Sequence, residues 1–147
     1  CANNNCPSIH DMAIRAIQKN PDVVVVVASR NECPTVMNNP SKVQNAIDDT
    51  FSILRNGLPK TQIIAMPAFS NDVAANPPCN QRLRNWLESA ANRQNGEFVP
   101  DVGTWLLGHR TWLNNDRLHP NDAGHTQIAK RFVIWFRKSG MIVTHQS

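Results

Sequence analysis

The chain alternates between segments of helical hydrophobic periodicity and short, uninterrupted apolar runs. Residues 8–19 carry an apolar stripe, with Ser8 as a candidate N-cap and Asp11 three positions later, and this predicts a helix that stops before Pro21. Residues 23–28 follow as a β-branched run without polar alternation. Such a run is typical of a strand covered on both faces, and therefore of a parallel sheet in an α/β domain.

The same alternation continues to the end of the chain. Further helices are predicted over residues 41–56 (opened by Ser41), 79–94 and 121–138, further strands over 61–66 and 98–102, and loops over 67–78 and 103–118. This order predicts one α/β domain over residues 1–147, a three-layer α/β/α sandwich around a parallel sheet with right-handed crossovers. Ligands bind such sheets beyond the carboxyl ends of the strands. Asn31, the loop after Met66 and the segment 116–119 are expected there.

The composition is typical of a folded domain and restricts the classes of partner that the chain is expected to bind. The 147 residues are 41% hydrophobic and 18% charged, which is typical of a globular protein, and no apolar run approaches the roughly 18 residues that cross a bilayer. The net charge of +4 comes from scattered basic residues, which predicts a mildly cationic surface suited to anionic envelope polymers. Nucleic acid is not an expected partner, because a nucleic-acid-binding domain would carry a tighter basic stripe with aromatic platforms.

The four cysteines indicate an oxidising compartment. Cys33 and Cys79 each follow a predicted strand, so a bridge between them can staple loops at the carboxyl end of the sheet. Cys1 and Cys6 can pair with each other or with polypeptide outside the chain. The alternative is four free thiols in a cytosolic protein. A zinc site is not expected, because no pair has C-x-x-C spacing.

The segment from Asp116 to His125 carries the most specific chemistry. Asp116 precedes His119 by three residues, so a short turn can bring the carboxylate to one imidazole nitrogen and leave the other to take a proton. Pro120 biases His119 away from helical geometry, so the next helix is expected to begin after this pair. These residues suit the acid–base half of a serine-hydrolase triad.

Two segments resemble conserved blocks of the SGNH (GDSL-like) hydrolases. Residues 116–132 are similar to the last block, D-x-x-H-P followed by a helix start with Gly-His, and residues 21–32 to the third, a buried strand running into G-x-N-D. The resemblance implies an SGNH-like sandwich with flavodoxin-like strand order. It also implies a serine esterase or O-acyltransferase that acts on acyl esters of carbohydrates or lipids, without a metal or cofactor.

The resemblance assigns roles to four residues. His119 is the expected general base, and Asp116 orients its ring. The side-chain amide of Asn31 and the backbone N–H of Ser29 are the expected oxyanion-hole donors. Ser29 stands where the family has glycine, and Glu32 where it has aspartate. Both departures put this part of the site in question.

The family's first block, a strand ending in G-D-S with the nucleophilic serine, has no counterpart in the sequence. We therefore expect the chain to be the C-terminal portion of an SGNH-like domain. A preceding segment or a second chain would complete the sheet and supply the serine. The cysteines and the basic surface favour a secreted or extracytoplasmic setting, in the periplasm or cell envelope.

Several alternatives stay open. The chain can be a non-catalytic SGNH-like domain that binds glycan or a partner chain, and Ser29 can be considered as a nucleophile although it lacks the glycine context of a nucleophile elbow. Cys1 can be an N-terminal nucleophile or a lipid-bearing residue. Trp105 and Trp112 either line an acyl or sugar pocket or pack in the core. His10 and Asp11, as neighbours on a helix, are predicted to be surface residues rather than a second catalytic pair.

Overall fold

A computed structural model describes residues 8–27, 33–69 and 78–141. The helices are α1 (Ile9–Lys19), α2 (Cys33–Asn38), α3 (Pro40–Gly57), α4 (Pro78–Arg93) and α5 (Asp122–Lys138), and the strands are β1 (Val23–Val27), β2 (Gln62–Met66) and β3 (Glu97–Phe98). Two 3₁₀ turns, Val102–Thr104 and Arg110–Trp112, lie between β3 and α5.

The three strands form one parallel sheet in the order β1-β2-β3. The register pairs Val23 with Gln62 and Val27 with Met66, so β1 and β2 match along their whole lengths. β3 pairs with the far side of β2 through Glu97 and Phe98. The parallel sheet predicted from the valine run is therefore confirmed.

Helices cover both faces of the sheet. On one face α1, α3 and α4 pack over a core that includes Val26, Ile63 and Ala65. On the other face α5 packs over Ile64, Met66 and their neighbours, because successive side chains of a strand point to opposite faces. The structure thus has the three layers that the sequence predicts.

The capping residues in the sequence predict the start of α1 correctly, whereas the boundaries of other elements differ from the prediction. Ser8 and Asp11 form the predicted capping box at the start of α1. α3 begins at Pro40 with Asn39 as its N-cap, and the start predicted at Ser41 is wrong by one position. Proline is well suited to the first position of a helix, where its absent N–H costs nothing.

Two other differences concern short elements. The six-residue α2 was not predicted, because it buries only Val36 and is too short to show a periodic stripe. The strand predicted over 98–102 is only the two residues Glu97–Phe98. Val99 still donates its N–H to the Ala65 carbonyl, and Pro100, which has no N–H, cannot extend the ladder. The predicted end of β1 at Ala28 lies outside the described residues.

A disulfide joins Cys33, the first residue of α2, to Cys79 near the start of α4. In chain order α2 follows β1 and α4 follows β2, and the predicted bridge between Cys33 and Cys79 is present. Cys1 and Cys6 lie outside the described residues.

The β1 edge of the sheet is incompletely covered in the part of the chain that the structure describes. Val25 is 39% and Val27 is 45% exposed, although a parallel strand is normally buried on both faces. A groove of about 650 Å³, which we call the β1 groove, is lined mainly by residues of α1, β1 and α3. None of the described helices combines the length and the apolar character needed to cross a membrane.

Candidate active site

A tight loop between the second 3₁₀ turn and α5 carries Asp116 and His119. Its two ends meet in an antiparallel bridge between Leu113 and Pro120. The Asn114 N–H donates to the His119 carbonyl at 2.8 Å, and the Asn114 side chain donates to the Pro120 carbonyl at 3.2 Å. These contacts fix the backbone on which both candidate catalytic side chains stand.

The loop turns sharply at its tip. Arg117 has a φ of 55°, in the left-handed region, and its N–H donates to the Asn114 carbonyl at 2.9 Å. Oδ1 of Asp116 accepts the N–H groups of Leu118 at 2.8 Å and His119 at 3.0 Å, which forms an Asx turn. The aspartate therefore organises the turn that brings His119 back toward it.

Asp116 and His119 face each other as the sequence predicts. Oδ2 of Asp116 lies 2.7 Å from Nδ1 of His119. An ionised carboxylate only accepts hydrogen bonds, so Nδ1 carries the proton and donates it to this contact. Nε2 is the ring nitrogen that this contact leaves free of the carboxylate.

Hydrogen bonds keep Asp116 ionised. The pKa of Asp116 is lowered from 3.8 to about 2, first by the hydrogen bond from the His119 side chain and then by the backbone N–H groups of His119 and Leu118. Each of these donors favours the charged form of the carboxylate. Asp116 therefore remains a carboxylate at any pH near neutrality and can stabilise an imidazolium.

The pair is open to solvent. The His119 side chain is 70% exposed and that of Asp116 is 48% exposed. In the serine-hydrolase triads of chymotrypsin-like enzymes the aspartate is buried. The described residues therefore bring Asp116 and His119 into contact but do not enclose them.

The other predicted site residues are distributed differently. Ser29, Asn31 and Glu32 lie outside the described residues, in the segment that follows β1 in the sequence. Trp105 is buried and packs with Phe69 at a ring separation of 6.4 Å, so of its two interpretations the core interpretation holds. Trp112 is half-buried and stacks on His109 with ring centroids 3.6 Å apart.

His10 and His125 are exposed surface histidines in the described part of the chain. His10 lies exposed on α1, and the neighbouring Asp11 accepts hydrogen bonds from the N–H and hydroxyl of Ser8. Those bonds lower the pKa of Asp11, which acts as a helix cap. His125 lies exposed in the first turn of α5, where its N–H donates to the Asn121 carbonyl.

Sequence reasoning missed the residues that hold the loop in shape. The side chains of Asn114 and Asn121 both donate to backbone carbonyls at its base. The available signal was Asn121 itself, an N-cap residue type directly before a helix start. The hydrogen bonds from its side chain to the carbonyls of Thr111 and Leu113 could not be predicted from the sequence pattern.

Comparisons with known proteins agree with this geometry. Residues 4–127 match the model of the GDSL-like lipase/acylhydrolase family. A GDSL lipase of Mycobacterium tuberculosis is 31% identical over 124 residues, which covers 82% of this chain and 52% of that protein. The chain thus spans about half the length of this curated relative.

Solved structures support the same fold. A protein from Parabacteroides merdae assigned as a GDSL-like lipase superposes with a TM-score of 0.66 at 20% identity, covering 91% of this chain and 69% of that one. The crystal structure of TesA superposes with a TM-score of 0.68 at 14% identity, covering 88% and 70%. Together with the family match over most of the sequence, the fold confirms the resemblance found in the two blocks. This chain belongs to the GDSL-like lipase/acylhydrolase family.

Proposed function

We propose that the chain provides the acid–base half of a serine esterase or O-acyltransferase. The observation that carries the proposal is the 2.7 Å contact between Asp116 Oδ2 and His119 Nδ1 within the D-x-x-H-P segment. This contact fixes one imidazole nitrogen on a carboxylate and leaves Nε2 for proton transfer. Membership of a lipase/acylhydrolase family supports ester chemistry in general.

The proposed reaction has two halves. A serine hydroxyl attacks the ester carbonyl carbon, His119 Nε2 takes the hydroxyl proton, and the carbonyl electron pair moves onto the oxygen. The oxyanion collapses and expels the alcohol, which receives the proton from His119. In the second half, His119 Nε2 takes a proton from water, or from an acceptor alcohol in the transfer reaction, as its oxygen attacks the acyl carbon. The second oxyanion collapses, the bond between the acyl carbon and the serine oxygen breaks, and the serine oxygen receives the proton from His119. Asp116 holds the ring and stabilises its imidazolium throughout.

We assign the oxyanion-hole role to Asn31 and to the backbone N–H of Ser29. Support for this comes from their place directly after β1, since sites of open parallel sheets lie beyond the carboxyl ends of the strands. Their donors would meet negative charge as it develops on the carbonyl oxygen. A single such donor contributes about 3–4 kcal/mol to catalysis in comparable enzymes.

The nucleophilic serine is proposed to come from polypeptide that precedes Cys1. Three observations support this: the exposure of the Asp116–His119 pair, the uncovered Val25 and Val27, and the much greater length of the curated relative. A further parallel strand would pair with the outer edge of β1, which none of the described strands occupies. Its carboxyl end would then lie on the same side of the sheet as the His119 loop.

The proposed substrates are acyl esters of carbohydrates or lipids, in a secreted or extracytoplasmic setting. The disulfide between Cys33 and Cys79 is compatible with an oxidising compartment. The net charge of +4 favours approach to anionic surface polymers. Neither observation distinguishes acyl transfer to water from acyl transfer to an acceptor alcohol. Identifying the acylated product, a free acid or a new ester, distinguishes the two reactions.

The test compares the natural intact polypeptide, whose mass is determined first, with the 147-residue chain. We expect the intact polypeptide to hydrolyse p-nitrophenyl acetate and to be labelled by a fluorophosphonate probe. The 147-residue chain is expected to do neither. In the intact polypeptide, His119→Ala should lower kcat at least about 1,000-fold, because a serine without its base is a weak nucleophile.

His125→Ala is the matched control, since it removes an exposed histidine six positions away on α5. We expect this variant to retain activity within about twofold. Labelling of Ser29 in the 147-residue chain, or equal activity of His119→Ala and wild type, would overturn the proposal. An intact polypeptide without labelling or turnover would favour the non-catalytic, glycan- or partner-binding alternative instead.

A further inference from the structure

The side chain of Asn121 makes three hydrogen bonds that connect two separate segments of the backbone. Its Oδ1 accepts the Gly124 N–H at 3.0 Å and caps α5. Its Nδ2 donates to the carbonyls of Thr111 at 2.9 Å and Leu113 at 3.0 Å. One carboxamide thus satisfies a helix N-terminus and two carbonyls on the chain that enters the His119 loop.

These bonds close the base of the loop. The Asn121 N–H adds a fourth bond, to the Trp112 carbonyl at 3.0 Å, directly beside the bridge between Leu113 and Pro120. The chain enters the loop through Thr111–Leu113 and leaves it through Pro120, and Asn121 holds both ends together. Because His119 and Asp116 are largely exposed, little packing from the described residues holds them, and the base of the loop sets their position.

We infer that Asn121 is a positioning residue for the Asp116–His119 pair, an inference that rests on the proposed function. It acts through the backbone of the loop and not through the imidazole. Loss of its two Nδ2 bonds loosens the Thr111–Leu113 segment from the start of α5, which then keeps only the Asn121 N–H bond to the Trp112 carbonyl and the bridge between Leu113 and Pro120. His119 then moves relative to Asp116, and the directed Nδ1 contact weakens.

Capping alone does not explain this residue. A helix cap needs only a side-chain acceptor, which aspartate and serine also provide. Asparagine combines that acceptor with two N–H donors in one planar group, and here the structure uses both. Asn121→Asp keeps the cap and removes the donors, so this substitution separates the two roles.

The chain offers a matched control at Asn39. This residue is the N-cap of α3, where its Oδ1 accepts the Lys42 N–H at 3.2 Å. Asn39→Asp makes the same chemical change at another helix start. The variant Asp116→Asn gives the spectroscopic reference for a lost carboxylate–imidazole contact.

The test records the imidazole ¹⁵N shifts of His119, which report its tautomer, and the solvent exchange of the Asn114 amide in the 147-residue chain. We expect Asn121→Asp to shift the His119 tautomer toward that of Asp116→Asn and to speed Asn114 exchange about tenfold or more. Asn39→Asp should leave both at wild-type values. In the intact polypeptide, Asn121→Asp should lower kcat about 10- to 100-fold, with KM within about twofold, because it displaces a catalytic group without touching substrate.

Wild-type tautomer and amide exchange in Asn121→Asp would overturn the inference, as would equal changes in Asn39→Asp. Altered spectra in a protein whose ester turnover does not depend on His119 would support the positioning of the ring and overturn the proposed function. The two failures are therefore distinguishable.

Discussion

Replacing Gly124 by alanine sets two opposite effects against each other. Gly124 lies in the first turn of α5, and its φ is not in the left-handed region, so its backbone suits any L-residue. On helix propensity alone, alanine would stabilise this position by up to about 1 kcal/mol. The surroundings oppose that gain.

A Cβ at position 124 would lie 2.2 Å from the Trp112 carbonyl oxygen and 3.0 Å from Cβ of Pro120. The first distance is about 1.2 Å short of ordinary contact, which begins at 3.4 Å. Overpacking of this kind costs about 1–3 kcal/mol. The obstructing atom is backbone and also accepts the Asn121 N–H, so moving it breaks a hydrogen bond worth about 1 kcal/mol.

We therefore expect Gly124→Ala to lower the free energy of unfolding by about 2 kcal/mol, as measured by urea denaturation followed by circular dichroism. Gly103→Ala is the control, because a Cβ there meets no atom within 4 Å. It should change stability by no more than about 1 kcal/mol, in the stabilising direction. A Gly124→Ala protein as stable as wild type would refute the close approach of α5 to the Trp112 carbonyl.

Two further predictions concern the disulfide and the acid side of the stability profile. Cys33 and Cys79 are 46 residues apart, so replacing both by alanine should lower the free energy of unfolding by about 4 kcal/mol through loop entropy. Urea denaturation measures this, and a loss below about 1 kcal/mol would contradict the loop-entropy origin. Because the pKa of Asp116 is lowered in the folded state, its stabilisation is complete above about pH 4 and is lost as the pH falls through about 2. Carboxyl ¹³C titration should give a midpoint near 2 in wild type and one closer to 3.8 in His119→Ala, and equal midpoints would show that His119 is not the cause.

Features that depend on neighbouring residues could be predicted from the sequence. The valine run gave β1 and its parallel sheet, the Ser8–Asp11 pair gave the start of α1, and the spacing of Asp116 and His119 gave their contact. In each case the interacting groups lie within a few residues of each other. Their geometry follows from backbone preferences and local hydrogen bonds, which distant parts of the chain change little.

Features that join distant segments needed the tertiary structure. The bonds from Asn121 to Thr111 and Leu113, and the clearance that Gly124 leaves for the Trp112 carbonyl, cross a reversal of the chain that no periodicity encodes. Burial also depends on distant segments. The sequence predicts that β1 is buried on both faces, but Val25 is exposed in the structure.

The sequence by itself thus determined the layered α/β architecture, the family, and the contact between Asp116 and His119. Within the residues that the structure describes, the tertiary structure decided which groups hold these two side chains in place, how open they are to solvent, and how far β1 is exposed. The physical reason is that burial and positioning are properties of the whole packed arrangement. A contact between distant residues forms only when the total packing offsets the entropy of closing the chain between them.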